Sequence, residues 1–216
     1  MPIAVLDFDK TITCTDTTKI WLLAYLICSP LSGIKAILTV LVSFNSLDKS
    51  AVKEKILKSA YQGCSEPKIS RVDRLFRVLL KTFRVRRESV LGHVRDYIEN
   101  GFQVLIVTAS AQNSVLEAMS DFSVDVIGTK FSISEGRFTG EVESPFCFGD
   151  EKVIRFMQFI EANCLDLSEL EVAWGDSASD FALMRLAGTR IWIGKRDELA
   201  KLKVIDSSGK FIIVDC

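Results

Sequence analysis

Six short apolar runs punctuate the chain: "IAVLDF", "FQVLIVTAS", "VDVIGT", "LEVAWGDS", "TRIWIG" and "KFIIVDC". None has a helical period, and continuous apolar runs of this length predict strands buried on both faces, as in a parallel sheet. Between the later runs the apolar positions recur at helical spacing, which predicts helices around Ser89–Asn100, Ala111–Met119, Glu151–Ala162 and Asp180–Leu186. Strands alternating with helices predict an α/β fold, a Rossmann-like parallel sheet with helices on both faces.

Two stretches break the alternation. From about Thr15 to Arg87 there is no convincing strand, and the segment reads as several helices inserted between the first and second strands. The expected organisation is therefore a core of residues 1–14 and 88–216 with a helical cap of residues 15–87. "SISEGRFTGEVESP" alternates around Glu135-Gly136 and predicts a β-hairpin projecting from the core.

In open parallel sheets ligands bind beyond the carboxyl ends of the strands. Asp7 and Asp9, Thr108 and Asp176 all fall at such ends. Asp180 follows Asp176 by one helical turn, and Lys152 lies in the first turn of an expected helix, able to point inward. Two acids around one phenylalanine repel each other. That arrangement suits either a solvated turn or a site that uses one ionised and one proton-carrying carboxyl beside a metal. Oxygen-only ligands suit Mg²⁺, and the lysine, the threonine hydroxyl and backbone N–H groups would meet the charge of a phosphate.

At 216 residues, 48% apolar and 25% charged, the chain can bury a sizeable core. Six cysteines without a C-x-x-C pair read as reduced thiols, and the lone histidine, His93, leaves no basis for a triad or a multi-histidine metal site. No basic leader precedes the first apolar run, so the expected location is cytoplasmic. The net charge of −1 hides an asymmetry: residues 49–95 hold 13 Lys/Arg against 4 Asp/Glu. Such a block is either a solvated helical surface or a region that draws anionic ligands toward the acidic core.

The motifs together resemble the haloacid dehalogenase superfamily, in its phosphoserine phosphatase-like branch. "DFDKTIT" is similar to the family's first motif, Thr108 in "VLIVTAS" to the second, Lys152 to the third and "GDSASD" to the fourth. Lys10 stands where many relatives have glycine. The resemblance implies a phosphatase in which Asp7 is the nucleophile that forms an aspartyl-phosphate, and Asp9 protonates the leaving alcohol and then activates water. It implies Mg²⁺ held by the Asp7 carboxylate, the Asp9 carbonyl and Asp176 with Asp180 alongside, and phosphate bound by Thr108, the Ala109 amide and Lys152. The expected ligand is a small phosphate ester of the phosphoserine kind, with no nucleic acid partner. Glu54 and Arg71 are candidates for reading the amine and carboxylate of such a substrate.

One segment leaves a second substrate class open. "IWLLAYLICSPLSGIKAILTVLVSF", residues 20–44, carries only Lys35 as a charge and is divided by Pro30 and Gly33. Each piece is shorter than the ~20 residues of a spanning helix. The two pieces either roof the site or, with the basic block, touch an anionic membrane surface, which would suit a phosphatidylglycerophosphate-type lipid phosphatase. A phosphomutase and a receiver-type switch use related acids. A receiver, however, is far shorter and has no helical insertion after its first strand.

Overall fold

The structure is a computed structural model that describes residues 1–30 and 49–214. β1 (Ile3–Leu6) is followed by a tight turn and by α1 (Thr18–Cys28), α2 (Lys49–Tyr61), α3 (Glu66–Thr82) and α4 (Glu88–Glu99). Then come β2 (Gln103–Ala111), α5 (Gln112–Ala118), β3 (Asp125–Thr129), the hairpin β4 (Phe131–Ser134) and β5 (Arg137–Val142), and α6 (Asp150–Ala162). The chain ends with β6 (Leu170–Gly175), α7 (Phe181–Met184), β7 (Thr189–Gly194), α8 (Arg196–Ile205) and β8 (Lys210–Ile213). The expected helix over Asp180–Leu186 is shorter than its sequence pattern: a 3-10 turn, Ala178–Asp180, precedes a single α-helical turn.

The main sheet has the order β3-β2-β1-β6-β7-β8, with every neighbouring pair parallel. β4 and β5 pair with each other apart from it. β1 therefore lies in the middle, where the chain order reverses, and such a reversal opens a crevice at the strand ends. Register fixes what meets there. Leu6 is opposite both Ile106 and Trp174, so Asp7 and Asp176, just past the ends of β1 and β6, lie at nearly the same level as Thr108. That threonine is not at a strand end, as expected, but inside β2, three residues before its end.

Alternate residues of the central strands face two cores, as the pleat requires. Ala4, Leu6, Val104, Ile106 and Trp174 join α4, α5 and the inserted helices. Ile3, Val5, Leu105, Val107 and Ala173 join α6, α7 and α8 on the other face. These side chains lie between 0% and 2% exposed, and burying each of the valines, leucines and isoleucines stabilises by roughly 1.5–3 kcal/mol.

The inserted helices are fastened to the core by a polar network set in aromatic packing. Asp73 of α3, buried, accepts hydrogen bonds from Trp21 Nε1 at 2.9 Å, Ser114 Oγ at 2.6 Å and Asn113 Nδ2 at 2.6 Å. Tyr61 donates to Asn113 Oδ1 at 3.1 Å and stacks on Phe131 at 4.0 Å and on Trp21 at 5.5 Å. Burial pushes the Asp73 carboxyl above the usual carboxylate range, and its three donors oppose that shift. Among the described residues no helix is long and apolar enough to cross a membrane. Residues 31–44 of the apolar stretch lie outside the described residues.

Replacing Asp73 with alanine strands three donors, buried Trp21 and Ser114 and half-buried Asn113, on two sides of this joint. We expect Asp73→Ala to lower unfolding free energy by about 2–4 kcal/mol, read as a fall in the urea midpoint. A change within experimental error would mean that the network does not fasten the helices.

Candidate active site

The turn after β1 carries both early acids. Asp7 extends the strand, its N–H donating to Trp174 O at 3.1 Å. Asp9 stays extended, and Lys10 then turns into the left-handed region at φ 60. For a residue with a Cβ that conformation costs roughly 1 kcal/mol. It is braced by Lys10 N donating to Thr13 Oγ1 at 3.1 Å and by buried Arg87 donating to Lys10 O at 3.1 Å. A positive φ at this place is the physical reason a glycine suits it.

Asp7, Asp176 and Asp180 present carboxylate oxygens within 4.8 Å of one another. Lys152, in the first turn of α6, reaches between two of them, with its Nζ 2.6 Å from Asp7 Oδ1 and 2.6 Å from Asp180 Oδ1. Asp180 is held from its other oxygen by the Ser177 hydroxyl at 3.0 Å and amide at 3.2 Å. The loop entering α6 is pinned by Arg155, which donates to Gly128 O at 2.6 Å, to Ser144 Oγ at 2.7 Å and to Pro145 O. Buried Thr108 accepts from the Ser110 amide at 3.1 Å, while Thr129 donates to Ala109 O at 2.9 Å and fixes that peptide.

The electrostatics separate the acids sharply. Burial, reinforced by the charges of Asp180 and Asp9, pushes Asp7 up to about 7 against the pull of Lys152. Asp176 is pushed up to about 8, again by burial first and then by Asp7 and Asp180. Lys152 is held protonated, above its ordinary value, because Asp180 and Asp7 outweigh its desolvation. Asp9 goes the other way. Burial would raise it, but Lys53, the Ser110 hydroxyl and Thr17 together bring it down to about 2.

Three crowded carboxylates with one ammonium between them form a cluster short of positive charge. Their donors are all hard oxygens, and such a set fits a Mg²⁺-like dication. A cation there would favour the ionised form of each acid. The residues present therefore fit the metal that the sequence suggested.

These groups line the head of a cavity of 780 Å³, together with Thr108, Ala109, Lys53 and Glu54. Its outer wall includes Phe146 and Phe148 from the loop before α6. Of the two residues considered for the cap, Glu54 lines the cavity, whereas Arg71 is an exposed residue of α3 and does not. Lys53, Ser110 and Thr17 went unnoticed in the sequence. Lys53 is one of thirteen basic residues in its block, and nothing in the local pattern sets it apart from its neighbours.

The haloacid dehalogenase-like hydrolase family model matches residues 4–185. The chain belongs to that family. A phosphoserine phosphatase of Lactococcus lactis subsp. lactis (strain IL1403) is 32% identical over 105 residues, so the match spans about half of this chain and half of that relative, 48% of each. A protein of unknown function from Bordetella pertussis Tohama I superposes with a TM-score of 0.78 at 18% identity, covering 97% of both chains. A phosphoserine phosphatase captured as a phospho-aspartyl intermediate analogue superposes at 0.62, with 16% identity, covering 98% of this chain and 92% of that one. At these identities the two superpositions show a shared fold.

Gly175, at the end of β6, lets the following turn fold close. A Cβ there would lie 2.6 Å from Met184 Sδ and 2.8 Å from Asp180 Cβ. We expect Gly175→Ala to destabilise by about 1–3 kcal/mol as α7 and Asp180 are pushed outward, measured by thermal unfolding. An unchanged melting temperature would show that the turn can move aside freely.

Proposed function

We propose that the protein is a Mg²⁺-dependent phosphatase that hydrolyses a phosphate monoester through an aspartyl-phosphate on Asp7. The observation that carries this reading is the Asp7, Lys152 and Asp180 arrangement, closed by Asp176 and placed at the head of a cavity beside the Thr108 hydroxyl. The family membership and the partial likeness to a phosphoserine phosphatase support it. The helices of residues 15–87 are read as the cap over this site, and a small phosphorylated metabolite of the phosphoserine kind as the substrate. A cavity of 780 Å³ accommodates such a molecule.

Each residue has a physical task. A carboxylate oxygen of Asp7 forms a bond to phosphorus, and the phosphorus–ester oxygen bond breaks with its electron pair passing to the alcohol oxygen. Asp9 gives that oxygen a proton and, in the second half, takes one from the water that releases phosphate. Lys152, Thr108 and the Ala109 amide bind the phosphoryl oxygens, and Lys152 carries fixed charge to them in a largely dry site. Asp7, Asp176, Asp180 and the Asp9 carbonyl would hold Mg²⁺, which when bound supplies charge to the transferring group.

In the free protein the partners of Asp9 hold it ionised. A phosphate group entering beside it adds like charge, which raises the proton affinity of a carboxylate. The sequence suggested an ionised Asp7 beside a protonated Asp9. In this reading that division arises when the cation and the ester are bound.

The test is a screen for phosphate release over amino-acid, sugar, nucleotide and lipid phosphate esters. We expect turnover of a small ester, a loss on the order of 10³-fold or more in Asp7→Asn, and loss on chelation of divalent metal that added Mg²⁺ reverses. Turnover that survives Asp7→Asn at the wild-type rate would remove the nucleophile from this reading. A second expectation needs no substrate: Mg²⁺ raises the melting temperature of the wild-type protein, and Asp176→Asn diminishes that rise.

A further inference from the structure

Lys53 belongs to α2, in the inserted helices, yet its ammonium lies in the core's site. Its Nζ is 2.7 Å from Asp9 Oδ2 and 3.1 Å from Ser110 Oγ, with Asp16 Oδ1 at 3.8 Å. The side chains of Lys53 and Asp9 are each only 15% exposed. An ionised carboxylate offers about four acceptor positions, and on Asp9 all four have donors. Oδ1 accepts from the Thr17 amide at 2.8 Å and the Thr17 hydroxyl at 2.7 Å. Oδ2 accepts from Lys53 and from the Ser110 hydroxyl at 2.6 Å.

These donors arrive from three places in the chain: the residue before α1, the end of β2, and α2. Thr17 and Ser110 grip Asp9 from one oxygen each. Lys53 adds the one charged donor among these partners, from a helix 44 residues along the chain. A lysine whose task was simply to join two surfaces could pair with any acid along the seam. This one pairs with the acid two residues from Asp7, and it lines the same cavity.

We propose that Lys53 is a positioning residue for Asp9, and that through it the inserted helices set the orientation in which Asp9 meets the ester oxygen. The proposal rests on the reading of Asp9 as the proton donor given above. Misplacing a reacting group by about 1 Å costs on the order of 10²-fold in rate, so the orientation has kinetic weight. The cost should fall where the proton matters. An alkoxide leaves poorly without one, whereas a nitrophenolate leaves unaided.

The experiment compares kcat/KM for a simple alkyl phosphate and for p-nitrophenyl phosphate in wild type, Lys53→Met, Lys53→Arg and Asp9→Asn. This parameter stops at phosphorylation of Asp7, so the hydrolytic second half, shared by both substrates, does not enter. The expected result is a fall in the alkyl-to-aryl ratio of about tenfold or more in Lys53→Met, partial recovery of the ratio in Lys53→Arg, and the largest fall, on the order of 10²-fold or more, in Asp9→Asn. Equal losses on both substrates in a folded Lys53→Met would make the residue a structural tie and overturn the proposal, as would an unchanged ratio. If Lys53→Met does not fold, Lys53→Arg carries the same test, with a smaller selective loss for the proposal and an equal or absent loss against it. An Asp9→Asn ratio equal to wild type would instead overturn the proton-donor reading itself, and the Lys53 proposal with it.

Discussion

Like charge crowded at the wall of one cavity is the constraint on which the rest of the molecule depends. Asp7, Asp176 and Asp180 cannot all stay ionised within 4.8 Å of one another without compensating charge. Lys152 supplies part of it from α6, a helix that reaches the site because Arg155 pins the loop ahead of it. Register supplies the rest of the geometry: β1 and β6 end nearly level, opposite Ile106 of the longer β2, so residues far apart in sequence arrive together.

The inserted helices make a second, independent demand. They must sit on the core firmly enough for one of their side chains to reach a core acid at hydrogen-bonding distance. The Asp73 network and the stack of Trp21, Tyr61 and Phe131 supply that firmness through a buried joint. A carboxyl buried with three donors and no cation within that network is a costly fastening compared with an apolar one. What it adds is direction, since three donors with fixed geometry define one seating of α3 against α5.

Much of this was legible in the chain because it follows short-range rules. Buried parallel strands announce themselves as apolar runs, and a ligand-binding rim follows from where those runs end, which is how Asp7, Thr108 and Asp176 stood out. Lys152 was legible from its place in a helix's first turn. The surroundings of Asp9 were not, because Lys53 and Ser110 lie 44 and 101 residues away along the chain and carry no pattern of their own. Arg71 was weighed for the cap on charge alone, and its exposure on α3 could only come from the packing of that helix on α1 and α5. Local periodicity reports which face is buried, but not which buried polar groups find each other.

Asp7 and Asp9 share a sequence neighbourhood and a side of the sheet, yet their surroundings are built by different parts of the chain. Among the described residues, the closest partners of Asp7 come from the core: Lys152, Asp176 and Asp180. Those of Asp9 are divided, with Ser110 from the core and Lys53 from the inserted helices. On the proposed reading Asp7 attacks the same atom whatever the ester, and it benefits from a surrounding that does not vary with the substrate. Asp9, proposed to protonate the departing alcohol, benefits on that reading from a tie to the helix whose Lys53 and Glu54 also line the cavity. On the proposed reading, changing the inserted helices would alter in one step which ester fits and how its oxygen is protonated.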